Sequence, residues 1–183
     1  KENFGDRRHY LNMKNCISAM LENDIIPVVN ENDTISVTEL MFTDNDELSG
    51  LIASMMDCDA LIILSNVDGI FTGKPGDKGV ELISEITSKT VDLRQYISDS
   101  KSGFGRGGML TKCHIAQKIA SEGIQVIIAN GMSNNIIHNV LTKQETPCTR
   151  FMANSSKSNG VKKWLSHSDT FAKGIVYINK GAK

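Results

Sequence analysis

The stretch "GGMLTKCHIAQKIASEGIQVIIAN" (residues 107–130) decides the fold class of this chain. It begins in a glycine-rich loop, "SGFGRGGMLTK" (residues 102–112), and continues with apolar residues at helical spacing. Gly123 follows as a helix cap, and "IQVIIAN" (residues 124–130) is a short apolar run typical of a buried strand. The stretch therefore predicts a helix followed by a strand, the repeating unit of an α/β fold.

The same alternation extends in both directions. "IIPVVN" (residues 25–30) and "ALIILS" (residues 60–65) predict two further buried strands. Helical spacing predicts helices around Met13 to Leu21, over "DELSGLIASMMD" and over "NNIIHNVL"; a short strand at 36–38 and a short helix at 91–97 are weaker predictions. Together these elements predict an α/β fold with a mainly parallel sheet in three α/β/α layers.

Composition excludes several classes of protein. The chain has 183 residues and a net charge of −1, so no basic surface indicates a nucleic-acid partner. Its 4 cysteines form no C-x-x-C pair, which favours free thiols in a reducing cytoplasm over a zinc site or disulfides. No apolar run reaches the roughly 18 residues of a membrane span, and no signal peptide is visible. The chain opens on Lys1 and not on Met, so we expect it to be cut from a longer protein.

The glycine-rich loop has two interpretations. Its glycines allow backbone amides to turn toward an anion, the helix behind it adds a positive dipole end, and Lys112 lies one turn into that helix. The loop does not match the Walker A pattern G-x-x-x-x-G-K-[ST]. Taken alone, it is either a phosphate-binding loop or a mobile surface loop.

A cluster of acidic residues favours the phosphate-binding interpretation of the glycine-rich loop. Two short loops carry alternating carboxylates and amides: Glu31, Asp33, Asp44, Asp46 and Glu47, with Asn30, Asn32 and Asn45 between them. Helix capping explains one or two of these residues. The rest suit a cationic group, either an amino-acid ammonium or Mg²⁺, while the amides can hold a carboxylate. A carboxylate cluster together with a phosphate loop predicts phosphoryl transfer to a small zwitterion.

Four stretches now carry a resemblance: "PVVNENDT", "FTDNDELSGLIA", "ILSNVDGIF" and "SGFGRGGMLTK". In order and spacing they resemble the motifs of the glutamate 5-kinases, a branch of the amino-acid kinase family. The resemblance implies the amino-acid kinase fold and the ATP-dependent phosphorylation of the L-glutamate γ-carboxylate to L-glutamyl 5-phosphate, the first step of proline biosynthesis. It implies ATP and Mg²⁺ as cofactors, a cytoplasmic location, a dimer or tetramer, and proline as a feedback inhibitor.

The resemblance also implies roles for individual residues. Lys112 matches the lysine that stabilises the transferring phosphoryl group, and Asp46 matches the aspartate that orients catalytic lysines. The substrate-binding positions are Asn30, Asp33 and Asn45, with Asp44 shaping the same pocket. The ATP-binding positions are Ser65, Asn66, Arg106, Gly107, Gly108, Met109, Leu110, Thr111 and Lys112, and Mg²⁺ is held mainly by the ATP phosphates, with no protein metal site expected.

Some positions depart from the family pattern. Ser65-Asn66 stands where Thr-Asp is common, and Arg106 replaces a small residue in the glycine loop. The family's first strand, with a lysine and a glycine-serine turn, has no counterpart here. Other amino-acid kinases (acetylglutamate or aspartate kinases), the kinase half of a bifunctional enzyme, and a non-catalytic module that binds proline or nucleotide remain alternatives.

We expect three segments along the chain: residues 1–153 as the kinase domain, 154–160 as a linker and 161–183 as the beginning of a small β-rich PUA-like domain. The linker prediction rests on the unpatterned polar stretch "NSSKSNG". The PUA prediction rests on the resemblance of "GVKKWLSHSDTFAKGIVYINKGAK" to the passage from such a kinase into that domain. Nothing in this stretch is basic enough to predict RNA binding.

Overall fold

The computed structural model describes residues 4, 6–30, 45–87, 108–142 and 144–154. The described residues up to Pro27 belong to one compact unit, and those from Val28 onward belong to another. In the first unit, helix α1 (Arg7–Glu22) confirms the helix predicted around Met13 to Leu21. Asp6 caps it, because its carboxylate accepts hydrogen bonds from the backbone amides of Arg8 and His9 at 2.8 and 2.9 Å.

The second unit alternates helices and strands. In chain order its described elements are α2 (Asn45–Met56), β1 (Ala60–Ser65), β2 (Ile70–Phe71), β3 (Leu82–Ile83), β4 (Glu85–Ile86), α3 (Met109–Ser121), β5 (Gln125–Asn130), α4 (Ile136–Leu141) and β6 (Cys148–Phe151). The predicted helices α2, α3 and α4 and the predicted strands β1 and β5 are confirmed. Gly123 follows α3 with φ of 92°, the left-handed conformation expected of the predicted cap.

Four of the described strands form a sheet with the order β1-β5-β6-β4, and β2 and β3 form a separate antiparallel pair. The pairs β1–β5 and β4–β6 are parallel, whereas β5 and β6 are antiparallel. The described sheet is therefore mixed but mostly parallel, which agrees with the mainly parallel sheet that the sequence predicted. The one antiparallel pair involves β6, which was not predicted, because its four residues "CTRF" are too few to show a period and include two polar side chains.

Helices cover both faces of this sheet. Alternate residues of β5 point to opposite sides, so Val126 and Ile128 pack in a core with α2 and α3, whereas Ile127 and Ala129 pack with α4. The larger core also contains Ala53, Ile63, Ile70, Ile86, Cys113, Ala116, Ile119, Ala120, Ile124 and Phe151. The described part of the chain thus has the predicted three layers.

The strand predicted at "IIPVVN" is wrong. These residues have no regular structure, and Ile26 and Val28 are 85% and 94% exposed. Pro27 interrupts the run because it has no backbone N–H to donate to a neighbouring strand. The boundary between the two compact units also falls there, between Pro27 and Val28.

Some predictions lie outside the described residues. They are the strand at 36–38, the helix at 91–97, most of the 154–160 linker and the whole PUA-like segment at 161–183. Within the described ranges, no helix is both long enough and apolar enough to cross a membrane.

Candidate active site

Two helix N-termini lie at the edge of the sheet where β1 and β5 end. Each helix is followed by a short turn and a strand, α2 by β1 and α3 by β5, so each helix runs opposite to its strand. The 12 residues of α2 span about 18 Å, and the 6 residues of β1 span about 20 Å. Since the lengths match, the N-termini lie level with the strands' carboxyl ends, where open α/β sheets bind ligands.

The first turns of these two helices are joined by an ion pair. Asp46 is the second residue of α2, and its Oδ2 accepts a hydrogen bond from Nζ of Lys112 in the first turn of α3. The side chains are only 12% and 16% exposed. A cation at a helix N-terminus opposes the helix dipole by about 0.3–1 kcal/mol, so Lys112 is not there to stabilise its own helix. Asp46 holds its ammonium in place.

Among the described residues, the start of α3 leaves room for a ligand. Its N-cap, Gly108, is extended at φ −69° and ψ 165° and provides no side-chain cap to the first-turn amides. A Cβ at Gly108 would meet nothing within 4 Å. Met109, Leu110 and Thr111 follow in the same turn and are partly buried. An oxyanion beside Gly108 would therefore meet uncapped amides, the helix dipole and, one turn on, Lys112.

A second polar group lies where β1 and β5 end. Ser65 is paired with Asn130 in the parallel register, and its carbonyl accepts a 2.8 Å hydrogen bond from the amide of Gly131. Asn130 Nδ2 donates to Asp68 Oδ1 at 3.0 Å. Asn66 is exposed in the same turn. The sequence analysis did not select Asp68 or Asn130 as site residues. The sequence signal for them was that Asn130 ends one apolar strand and Asp68 lies three residues after another.

The turn after β1 is fixed at its far end by Thr149. The fully buried Thr149 hydroxyl accepts from the amide of Ile70 at 2.8 Å and donates to the carbonyl of Ile83 at 2.7 Å. Gly69 has φ of 155°, and a Cβ there would lie 2.4 Å from Thr149 Oγ1. The turn that carries Asn66 and Asp68 is therefore held against β6 by one hydroxyl group and one glycine.

The remaining predicted substrate residues are not gathered by the described structure. Asn45 is exposed at the first position of α2, and Asn30 is exposed at the end of the irregular stretch 25–30. Asp33, Asp44, Arg106 and Gly107 lie outside the described residues. Over the described ranges, no three His, Cys, Asp or Glu side chains are grouped to hold a metal ion.

Comparison with known sequences identifies the family. The profile of the amino acid kinase family matches residues 1–130, which include both α2 and α3 with the Lys112–Asp46 pair. The chain belongs to the amino acid kinase family.

Curated relatives within this amino acid kinase family match the whole chain. One from Bacteroides thetaiotaomicron is 61% identical over 183 residues, which are 100% of this chain and 51% of the relative. One from Chlorobaculum tepidum is 51% identical and is covered over 49% of its length. Both are named glutamate 5-kinase. The chain spans about half the length of the curated relatives it matches.

Solved structures show the same fold at low sequence identity. The UMP kinase of Bacillus anthracis aligns with a TM-score of 0.56 at 17% identity, covering 78% of this chain and 52% of that one. The UMP kinase of Ureaplasma parvum aligns with a TM-score of 0.54 at 18% identity, covering 76% and 52%. These similarities describe the fold of this family member.

Proposed function

We propose that this chain carries part of the active site of a kinase that transfers the γ-phosphoryl group of ATP to the γ-carboxylate of L-glutamate. The product would be L-glutamyl 5-phosphate, made in the first step of proline biosynthesis. Two relatives that match the full chain at 61% and 51% identity are named glutamate 5-kinase, which supports the choice of acceptor.

The observation that carries this proposal is the ion pair between Lys112 and Asp46. It joins two helix N-termini beside an open glycine N-cap, at the sheet edge where β1 and β5 end. A half-buried ammonium that is held by a carboxylate, next to amides without a side-chain cap, suits an anion whose charge shifts during reaction. Phosphoryl transfer has that requirement, because negative charge moves over the oxygens of the transferred group.

The chemistry needs no general base. The acceptor is a carboxylate, which is already a nucleophile at neutral pH. One of its oxygens attacks the γ-phosphorus of ATP, the bond from that phosphorus to the β–γ bridging oxygen breaks, and ADP leaves with the electron pair. The protein must therefore align the two anions and reduce their repulsion. Lys112 and the α3 amides supply positive potential, and Asp46 fixes the direction of Lys112.

Mg²⁺ would accompany ATP, held mainly by its phosphates, and would neutralise their charge. The residues assigned to ATP by the family resemblance fit this arrangement in part. Gly108 leaves room beside the α3 amides, and Ser65 and Asn66 lie at the carboxyl end of β1. Asn66 supplies a neutral amide where the family commonly has a carboxylate, so it would serve as a hydrogen-bonding group.

Three further properties belong to this proposal. Proline shares the α-ammonium and α-carboxylate of glutamate, so it would compete for the same acceptor pocket and inhibit the enzyme. The protein would act in the cytoplasm as a dimer or tetramer. The acceptor residues Asn30, Asp33, Asp44 and Asn45 would form the pocket that glutamate and proline share.

An acceptor panel tests the proposal. ADP release by the complete gene product is measured with ATP and Mg²⁺ and, in parallel, L-glutamate, L-aspartate or N-acetylglutamate. Release that depends on L-glutamate supports the assignment. Release with another acceptor would keep a kinase but overturn the substrate, and release with none would favour a module that binds nucleotide or proline without turnover.

A further inference from the structure

Helices α2 and α3 meet along a continuous stripe, which we call the helix seam. On α2 it contains residues four apart in sequence, and on α3 residues three or four apart, so each set lies on one side of its helix. Contacts join the two sets at three levels. The seam residues are Asp46, Gly50 and Ser54 on α2, and Lys112, Ile115, Ile119 and Glu122 on or just after α3.

The middle of the seam depends on Gly50. A Cβ at this buried position would lie 3.0 Å from Cγ2 of Ile115 and 3.2 Å from Cγ1 of Ile119. These distances are shorter than ordinary van der Waals contact, so the backbone of α2 rests directly on the side chains of α3. Glycine is among the poorest helix formers, and its presence mid-helix is explained by this close approach. Gly50 therefore sets the spacing between the two helices.

The end of the seam away from Lys112 is a buried hydrogen bond. The hydroxyl of Ser54 donates to Oε2 of Glu122, and these residues are 3% and 8% exposed. Glu122 occupies the C-cap of α3, where an acidic side chain opposes the helix dipole. The carboxyl group of Glu122 therefore destabilises the end of its own helix, but it accepts a hydrogen bond from the neighbouring helix α2. The bond therefore fixes how far α3 can slide along α2.

We propose that Gly50 and the Ser54–Glu122 hydrogen bond are positioning elements for the Lys112 ammonium. They set the spacing and axial register of α2 and α3, and so determine where Lys112 Nζ lies relative to Asp46 and an incoming phosphate. A slip of one helical residue displaces these groups by about 1.5 Å, and misplacement of about 1 Å can reduce a rate about 100-fold. The consequence for catalysis rests on the proposed function; the geometric coupling between the two ends of the seam does not.

Kinetics of the complete gene product provide the first test. In Ser54→Ala, we expect kcat to fall about 10-fold or more, with KM for ATP and glutamate close to the wild-type values. Gly50→Val should lower kcat likewise, and adding Ile115→Ala should restore it, because that pair of changes conserves volume across the seam. Val140→Ala is the matched control. Val140 is 1% exposed in the core under α4, so this variant should lower Tm without lowering kcat.

A second measurement does not depend on the acceptor. The lysines of this chain are ¹³C-methylated, and the NMR signal of Lys112 is assigned by its disappearance in Lys112→Arg. Asp46→Asn should move that signal, and Ser54→Ala and Gly50→Val should move it in the same direction, whereas Val140→Ala should not. If Ser54→Ala lowers Tm as Val140→Ala does but leaves the Lys112 signal unmoved, the seam is only structural and the proposal is overturned. The NMR result decides this even if no acceptor is phosphorylated.

Discussion

At the scale of single residues, the arrangement depends on one lysine and one aspartate. Lys112 and Asp46 are 66 positions apart in the sequence, yet their side chains are in contact and mostly shielded from water. Removing one member of a shielded pair leaves the other charge without its partner and free to reorient. Each member therefore has a separable role: Lys112 carries the charge, and Asp46 determines where that charge is held.

Replacing Asp46 tests its positioning role. Asp46→Asn keeps the size of the side chain but removes its charge, so Lys112 loses its tether and we expect kcat to fall about 10–100-fold. The matched control is Glu47→Gln, because Glu47 is the other acidic residue in the first turn of α2 and contributes equally to the helix dipole. Steady-state kinetics of both variants give the comparison. An equal fall in kcat in both variants would mean that these carboxylates act through the dipole of α2, and that the ion pair of Asp46 with Lys112 has no separate role.

The thiol next to Lys112 gives a prediction about pH. Cys113 is fully buried, and burial raises its pKa to about 12. The unfolded chain ionises this thiol near pH 9.0, so the stability that the buried neutral thiol provides is complete below about pH 9 and is lost as pH rises toward 12. Unfolding of the wild type, compared with Cys113→Ala, should show this difference in slope above pH 9. Parallel curves would contradict it.

Exposure also separates the cysteines by reactivity. At pH 8, Ellman's reagent should modify the exposed Cys16 quickly and Cys113 only at the rate of unfolding. The double variant Cys16→Ser, Cys58→Ser removes the exposed and the half-exposed thiol and serves as the control. Rapid modification of Cys113 in the native protein would show that α3 opens at the end that carries Lys112.

At the scale of elements, helix α1 depends on a titrating cap. The amide hydrogen bond from His9 is the main cause that lowers the pKa of Asp6, and the bond from Arg8 adds to it. A lowered pKa stabilises α1 above the ordinary value of 3.8, and this contribution is lost as pH falls through the lowered value. The control variant is Asp6→Asn, because asparagine can cap a helix but does not titrate. On acidification, hydrogen exchange of the α1 amides, measured relative to the intrinsic exchange rate, should accelerate more in the wild type than in this variant. Identical responses would contradict the cap's role.

The turn after β1 gives a second prediction for elements. Gly69→Ala places a Cβ 2.4 Å from Thr149 Oγ1 and should lower the free energy of unfolding by about 1–3 kcal/mol. Gly76→Ala is the control, because Gly76 also has a positive φ of 98° but has nothing within 4 Å of an added Cβ. Gly76→Ala should lower the free energy of unfolding only by the cost of placing alanine at a positive φ. Chemical denaturation measures both, and equal losses would mean that Thr149 does not restrict Gly69.

Elements with clear periodicity were predictable from sequence. Helices α2 and α3 and strand β5 were recognised from their apolar spacing, and Gly123 from its place after a helix. Strand β6 was missed because its "CTRF" sequence carries no period, although pairing with β5 buries it. "IIPVVN" was taken for a strand because apolar content alone does not specify pairing partners.

The candidate site was predictable from sequence only where its residues belong to sequence motifs. Lys112 and Asp46 belong to sequence motifs, so a resemblance could place them together. Gly50, Ser54 and Glu122 belong to no motif, and their relationship exists only once α2 and α3 are packed. Asp68 and Asn130 were visible as polar residues after buried strands, but their hydrogen bond depends on β1 and β5 being adjacent. Contacts between residues that are distant in the sequence cannot be predicted from local sequence patterns.

At the scale of the whole molecule, the packing of helices on the sheet determines where the candidate site lies. Helices α2 and α3 share one face of the mixed sheet, and both begin at the edge where β1 and β5 end. Family membership and the Lys112–Asp46 pair agree with the proposed function, in which the N-termini of α2 and α3 direct positive potential at a phosphoryl group. In the proposed function, Lys112 provides the charge that this transfer needs.

The most direct measurement is glutamate-dependent ADP release by the complete gene product and its Lys112→Met variant. Lys118→Met is the matched control, because Lys118 is an exposed lysine in the last turn of the same helix. The account predicts that Lys112→Met lowers kcat about 100–1,000-fold while Lys118→Met stays near wild type. Glutamate-dependent turnover in Lys112→Met equal to that of Lys118→Met would contradict it.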